Sequence, residues 1–149
     1  MILRPARSDE AQLLTDLALR SKAHWGYDNA FLELARVELT LAADEIVPRR
    51  ATVADEDGRI LGFSTLEGAP PEAELGFLFI DPAAIGQGVG RVLWALAVAT
   101  ARGLGFARIV LDADPNAEGF YAAMGAVRIS AVPSGSVPGR VLPRMAFEL

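Results

Sequence analysis

The sequence contains no cysteine and only one histidine, His24. Without cysteine there is no disulfide, no thiolate metal site and no cysteine acyl-enzyme. A single histidine excludes a structural zinc site and leaves His24 as the only possible histidine of a catalytic triad. The sequence therefore predicts a protein with no metal centre and no thiol chemistry.

Positive charge and long hydrophobic runs are also scarce. Lys and Arg number 14 against 19 Asp and Glu, for a net charge of −5. This balance argues against a nucleic-acid partner, which needs basic surfaces, and permits a cationic substrate such as an amine. The longest apolar run, 92–101, is too short to span a bilayer, and the N-terminal residues lack the apolar stretch of a signal peptide. We expect a soluble, cytoplasmic protein with no membrane partner.

The composition is that of a globular protein, with 149 residues, 52% of them hydrophobic and 22% charged. We expect one domain over residues 1–149. Apolar periodicity and turn residues predict strands at 2–5, 51–54, 60–66, 74–80, 108–111, 127–132 and 145–149. They predict helices from Ser8 or Asp9 to 21, from Asp28 or Asn29 to 41, and over 88–104 and 116–124, with a loop at 133–143. This order predicts an α/β protein with a mixed sheet and helices on its faces.

A glycine-rich segment, Asp81 to Arg91, reads D-P-A-A-I-G-Q-G-V-G-R and joins an apolar strand to a long apolar helix. Backbone N–H groups and the helix dipole converge at such a junction, which favours a phosphate or pyrophosphate. Glycines at 86, 88 and 90 allow the anion to approach the backbone closely. The alternative is a tight turn that binds nothing.

This segment resembles the GCN5-related N-acetyltransferase (GNAT) superfamily, which carries L-x-V-x-P followed by Q/R-x-x-G-x-G/A. The matching residues are 78–82 and 85–90, with Ile85 at the position of the usual Gln or Arg. The resemblance implies a mixed, mostly antiparallel central sheet with helices on both faces, and acetyl-CoA as cosubstrate. Backbone amides of 85–91 would hold the pyrophosphate, and the strand edge at 78–80 would pair with the pantetheine arm. The implied cofactor-binding residues are Leu78, Phe79, Ile80, Ile85, Gly86, Gln87, Gly88, Val89, Gly90 and Arg91.

A second motif, 114–126, resembles the family's N-x-x-A-x-x-F-Y-x-x-x-G-F. Asp114 stands at the usual Asn, with Asn116 close enough to do a similar job, and both are candidate cofactor contacts. The resemblance implies that Tyr121 is the general acid that protonates the departing CoA thiolate, in addition to contacting the cofactor. The alternative is a helix tyrosine packed in the core.

Two other groups of residues are candidates on the side of the acceptor. Glu74, at the start of the strand before the loop, is the best-placed general base, although it could equally be a solvent-facing glutamate, with water as the base. His24, Trp25 and Tyr27 lie between the first two helices, where the family has a wall of the acceptor site, and aromatic faces suit cationic amines. A structural plug over the core is the alternative for this segment.

Two other functions compete with this interpretation. A dinucleotide-binding domain would explain Gly86-x-Gly88-x-x-Arg91 and an acid at Asp112, but the third glycine is displaced. A non-catalytic CoA-binding or regulatory module would explain the departures at Ile85 and Asp114. The favoured prediction is an acetyl-CoA-dependent N-acetyltransferase that transfers the acetyl group directly to a small-molecule or peptide amine, and that could form a homodimer.

Overall fold

The computed structural model describes all residues, 1–149, and contains one seven-stranded sheet. The strands are β1 (Ile2–Pro5), β2 (Thr52–Glu56), β3 (Arg59–Glu67), β4 (Glu72–Ile80), β5 (Arg108–Asp112), β6 (Val127–Pro133) and β7 (Val141–Glu148). The α-helices are α1 (Ala11–Ala23), α2 (Asn29–Leu39), α3 (Val89–Gly103) and α4 (Glu118–Ala123). Short 3-10 turns lie at Ser8–Glu10, Ala43–Glu45, Pro82–Ala84 and Pro115–Ala117.

The sheet has the strand order β1-β2-β3-β4-β5-β7-β6. Every neighbouring pair is antiparallel except β4 and β5, which are parallel. The predicted fold class is therefore confirmed. The dinucleotide-binding alternative is wrong, because that fold needs a mostly parallel sheet.

Helices cover both faces of the sheet, and each face has its own apolar core. On one face, Leu14 and Leu17 of α1 and Leu39 of α2 pack on Phe63 and Phe77. The opposite face carries α3 and α4, with two clusters built around residues such as Trp94, Leu93, Ile109 and Tyr121. None of the helices combines the length and the apolar character needed to cross a membrane.

Several predicted boundaries differ from the structure by a few residues, and three of them have a clear local cause. β7 begins at Val141, because its pairing with β6 extends to Pro133, so the loop is shorter than predicted and covers only 134–140. α4 begins at Glu118, because a 3-10 turn precedes it. The first α-helix begins at Ala11, after another such turn. The second α-helix, in contrast, begins as predicted, and Asp28 Oδ1 caps it by accepting from the Phe31 amide.

Candidate active site

Strand β4 has one unpaired edge, which begins where its pairing with β5 stops. Residues 72–74 pair with Arg108–Val110, and no pairing follows, although both strands continue. On its other edge, β4 remains paired with β3 as far as Ile80. The two parallel strands therefore diverge, which leaves backbone N–H and C=O groups of 75–80 without a neighbouring strand.

A β-bulge at the start of the unpaired edge reverses the faces of the β4 side chains. Between the pairs Ser64–Leu78 and Leu66–Leu75, β4 has one residue more than β3. Leu75 accordingly packs in the core beside α3, whereas Phe77 packs in the core beside α1 and α2. The Phe77 amide, which the bulge removes from the ladder, donates to the buried Thr65 Oγ1 over 3.0 Å.

The glycine-rich loop presents a group of free amides at the end of this edge. Gly86 and Gly88 have φ of 85° and 80°, values that favour glycine, and Gly88 caps α3 without a side-chain hydrogen bond. The amides of Gly86 and of residues 88–91 have no partner within the chain. The prediction that backbone amides of 85–91 are available to a pyrophosphate is not met at Ile85 and Gln87. Their amides donate to the carbonyls of Pro82 and Ala84 within the turn. The remaining amides lie unpaired at the start of a helix, an arrangement that favours an anion.

The unpaired edge and the loop border a single cavity of about 570 Å³. We call residues 78–80, 86 and 88–91 the amide side of this cavity, because they carry the unpaired strand edge and the free amides. Most of the sequence-predicted cofactor residues line it, namely Leu78, Phe79, Ile80, Ile85, Gly86, Gly88, Val89, Gly90, Arg91, Asp114, Asn116 and Tyr121. Gln87 does not line the cavity.

Tyr121, on α4, is buried and borders the same cavity. Its ring packs edge-on against Trp94 and Phe120, with centroid distances of 5.9 and 5.2 Å. Its hydroxyl makes no hydrogen bond within the chain, yet it is not among the fully enclosed unpaired atoms, so it opens onto the cavity. Burial, with the nearby Asp114 carboxylate, raises the pKa of Tyr121. The phenol is therefore protonated at neutral pH and available as a donor.

Five residues form a hydrogen-bonded group that we call the ionic side: Lys22, Tyr27, Asp114, Asn116 and Arg140. Lys22, Asp114 and Asn116 line the cavity, whereas Tyr27 and Arg140 do not. Lys22 Nζ lies 2.6 Å from Asp114 Oδ2, and Arg140 Nη2 lies 3.2 Å from the same oxygen. Burial favours the neutral carboxyl, but hydrogen bonds from Lys22 and Asn116 outweigh it and hold the pKa of Asp114 at about 2. Burial also lowers the pKa of Lys22, and the contact with Asp114 opposes this.

The sequence prediction missed Lys22 and Arg140 as members of this group. Lys22 is the only lysine in the chain, and this is the sequence feature that could have marked it as a candidate. Arg140 lies in the loop predicted at 133–143, where nothing in the neighbouring sequence assigns it a partner. Their contacts join positions far apart in the sequence, so no local pattern could reveal them.

The predicted acceptor-side residues are dispersed. Trp25 lines the cavity and is 48% exposed, whereas His24 is exposed, lies edge-on against Trp25 and does not line it. Tyr27 belongs to the ionic side and its ring stacks on Phe31. Glu74 is half-buried, does not line the cavity and lies 3.4 Å from Arg144. Burial raises the pKa of Glu74, and Arg144 opposes this rise.

Comparison with known proteins gives one family and many similar folds. Residues 15–126, well over half of the chain, match the Acetyltransferase (GNAT) family. A search of curated proteins finds no match. Similar solved structures include the PaiA N-acetyltransferase of Thermoplasma acidophilum in complex with coenzyme A, at 19% identity and a TM-score of 0.81, covering 99% of this chain and 98% of that one.

Two further structures have the same fold. A GCN5-related N-acetyltransferase of Rhodopseudomonas palustris matches at 22% identity and a TM-score of 0.80, covering 99% of this chain and 95% of that one. The ribosomal-protein-S18-alanine N-acetyltransferase of Escherichia coli matches at 16% identity and a TM-score of 0.74, covering 99% and 92%. Together with the family match, the diverging strands and the glycine loop identify this chain as an enzyme, an acyltransferase that belongs to the GNAT acetyltransferase family.

Proposed function

We propose that this protein transfers an acetyl group from acetyl-CoA directly to an amine within a ternary complex. The observation that carries the proposal is the continuous path along the amide side. An unpaired strand edge leads to a group of free amides, and the Tyr121 hydroxyl opens onto the same cavity. An extended, amide-bearing ligand that ends in a pyrophosphate matches this path.

On this proposal, the pyrophosphate binds the amides of Gly86 and residues 88–91, and the pantetheine arm pairs with Leu78–Ile80. Arg91, an exposed cation that lines the cavity in the first turn of α3, adds positive charge near the phosphates. Asn116 lines the cavity and remains a predicted contact. The similar fold of the PaiA enzyme, whose structure contains coenzyme A, supports this assignment.

The chemistry then needs one proton donor and one acceptor. The neutral amine attacks the thioester carbonyl carbon, the carbon–sulfur bond breaks, and Tyr121 donates its proton to the departing thiolate. Glu74 accepts the proton that the amine loses. Because Glu74 does not line the cavity, a water molecule carries this proton to it. Direct transfer is consistent with a chain that contains no cysteine to form an acyl-enzyme.

The acceptor is an amine of a small molecule or a peptide. Trp25, which lines the cavity, offers an aromatic face to it. His24 and Tyr27 do not line the cavity, and their membership of the same wall remains a prediction. We further propose a single acetyltransferase domain over 1–149, supported by one continuous sheet from β1 to β6. Cytoplasmic location and a homodimer remain predictions.

Ligand-dependent thermal stability and a panel of amines test the proposal. Acetyl-CoA at about 100 times its Kd should stabilise the protein by about 2.7 kcal/mol, and NAD should not. CoA release in the presence of small amines and of peptides should then identify the class of acceptor. Stabilisation by NAD but not by acetyl-CoA would exclude the proposed cofactor, and accumulation of an acetyl-enzyme would exclude direct transfer.

A further inference from the structure

Three segments of the chain meet at the carboxylate of Asp114. Lys22, in the last turn of α1, donates to Oδ2 over 2.6 Å. Arg140, in the loop between β6 and β7, donates to the same oxygen over 3.2 Å. Tyr27, between α1 and α2, has its hydroxyl 3.1 Å from both oxygens. The carboxylate therefore joins the end of α1, where Lys22 lines the cavity, and the β6–β7 loop, which does not line it, to the segment that leads into α4.

The contacts of Asp114 occupy the acceptor positions of its carboxylate. In addition to the three donors above, the backbone and side-chain nitrogens of Asn116 lie 2.8 and 2.9 Å from Oδ1. The Asp114 side chain is only 11% exposed. A ligand amide would have to displace one of these donors, and a neutral asparagine could not balance Lys22 and Arg140.

The loop at 134–140 is also held against α2. The Arg140 guanidinium lies 4.7 Å from the Phe31 ring centroid and 5.1 Å from that of Tyr27. Ser136 Oγ lies 3.1 Å from Glu38 Oε2 on α2. Arg140 Nη2 also donates to the Tyr27 hydroxyl over 2.7 Å. Because the Arg140 contacts converge on Asp114 and Tyr27, loss of the carboxylate should release this end of the loop.

We propose that Asp114 is a positioning residue, which fixes the end of α1 as one wall of the cavity, braces it with the β6–β7 loop and does not contact the cofactor. The assignment of this wall to the acceptor amine rests on the proposed function. Asp114 also accepts from the Asn116 amide at the start of the turn before α4. It thereby fixes the wall relative to the helix that carries Tyr121.

The substitution Asp114→Asn tests the proposal, because it preserves shape and removes the charge. Hydrogen–deuterium exchange of the full chain reports the backbone, and amine modification followed by mass spectrometry reports Lys22, the only lysine. The rate of Lys22 modification should rise by about tenfold or more. Hydrogen exchange should accelerate by a similar factor within 21–28 and 134–140 and should not accelerate within 85–91. The Kd for acetyl-CoA should change by less than about threefold. Loss of a hydrogen bond between Asp114 and the cofactor would raise the Kd by more than that.

Glu118→Gln is the matched control, because it neutralises a carboxylate at the start of α4 that pairs with Arg128 instead. It should leave exchange in both segments unchanged. If Asp114→Asn does not fold, Lys22→Met replaces it. That variant should accelerate exchange at 21–28 and preserve protection at 134–140, where Arg140 still pairs with Asp114.

If exchange in both segments of Asp114→Asn is unchanged, the proposal is overturned. If Lys22→Met is the variant used, unchanged exchange at 21–28 overturns it. A rise of more than threefold in the acetyl-CoA Kd of Asp114→Asn would also overturn it, because Asp114 would then contribute to cofactor binding. Exchange and lysine modification need neither cofactor nor acceptor. If the wild-type protein fails to bind acetyl-CoA, the proposed function is wrong, while these two measurements still decide the role of Asp114.

Discussion

The two sides of the cavity are built from different parts of the chain. The amide side presents backbone groups of residues close together in the sequence, 78–80, 86 and 88–91, and its shape depends on local conformations such as the positive φ of Gly86 and Gly88. The ionic side presents charged side chains, and Lys22 and Asp114 meet across 92 positions of the sequence. One side is therefore specified by a short sequence, and the other only by the complete fold.

This difference has a functional consequence. Backbone amides do not change when side chains are substituted, so the amide side should tolerate substitutions that keep its glycines. On the ionic side, a single substitution leaves a buried charge without its partner, which is costly. We expect variants of the amide side to alter cofactor affinity, and variants of the ionic side to alter the acceptor step.

Tyr121, which opens onto the cavity, should give the largest effect. Replacement by phenylalanine removes only the hydroxyl, so kcat should fall by about 10²–10⁴-fold, the usual range for a general acid. Because the ring and its packing on Trp94 remain, the Kd for acetyl-CoA should change by less than about twofold. Steady-state kinetics and calorimetric titration measure the two quantities.

Tyr27→Phe is the control for this experiment, since the chain has only two tyrosines. It removes the same group from the ionic side, where the hydroxyl contacts Asp114 and Arg140. Tyr27 does not line the cavity, so it should act on the acceptor only through Asp114 and Lys22, which do. It should therefore raise the KM for the acceptor modestly and leave kcat within about threefold. Equal turnover in Tyr121→Phe and the wild type would remove Tyr121 from the mechanism.

Glu74→Gln should have the next largest effect, about tenfold in kcat/KM near neutral pH, if Glu74 takes the proton through water. The pKa of Glu74 is raised by burial. The base works when ionised, so the wild-type rate should rise with pH through that pKa. The variant should retain only the rise at higher pH that comes from the acceptor amine, whose pKa is about 10 for a lysine-like group.

Glu72→Gln provides the comparison on the same strand, because Glu72 is exposed and pairs with Arg108. Its pH profile should match that of the wild type. If the rate of Glu74→Gln still rises with pH in the range where the wild-type rate rises through the pKa of Glu74, water alone accepts the proton.

Gly88→Ala tests the amide side. No atom lies within 4 Å of a Cβ at Gly88, so the cost comes from its φ of 80° rather than from crowding. Holding alanine in that conformation costs about 1–2 kcal/mol, and relaxation of the loop would move the amides away from the anion. We expect the Kd for acetyl-CoA to rise about tenfold, which corresponds to about 1.4 kcal/mol.

Gly103→Ala is its control at the other end of α3, where φ is not positive and space is open. It should leave the Kd unchanged and raise thermal stability slightly. If both variants bind acetyl-CoA equally well, the conformation at position 88 does not determine cofactor affinity.

The same contrast explains how much of the protein could be predicted. The glycine loop, the strand before it and the fold class followed from local pattern and family resemblance, because each depends on neighbouring residues. The start of β7 at Val141 did not, because its first residues are exposed or half-buried and their strand conformation depends on pairing with β6.

The ionic side could not be predicted for a related reason. The sequence marks Asp114 only as a departure from a motif, and the compensating cations lie on α1 and in the β6–β7 loop. Similarly, Glu74 is next to cavity-lining residues in sequence, yet it lies outside the cavity, because the strand alternates and the bulge follows it. Charge pairing across the fold is not encoded at a fixed spacing.

The smallest expected effect is that of Ile85→Gln, which restores the polar residue usual for the family. Ile85 is 47% exposed, and its amide already donates to the Pro82 carbonyl. A hydrogen bond gained by the new side chain is worth about 0.5–1.5 kcal/mol, and the lower value applies to a half-exposed position. The Kd for acetyl-CoA should therefore fall by less than about threefold, whereas Gly88→Ala raises it about tenfold. A tenfold improvement in Ile85→Gln would show that side chains, and not only the backbone, supply the affinity of the amide side.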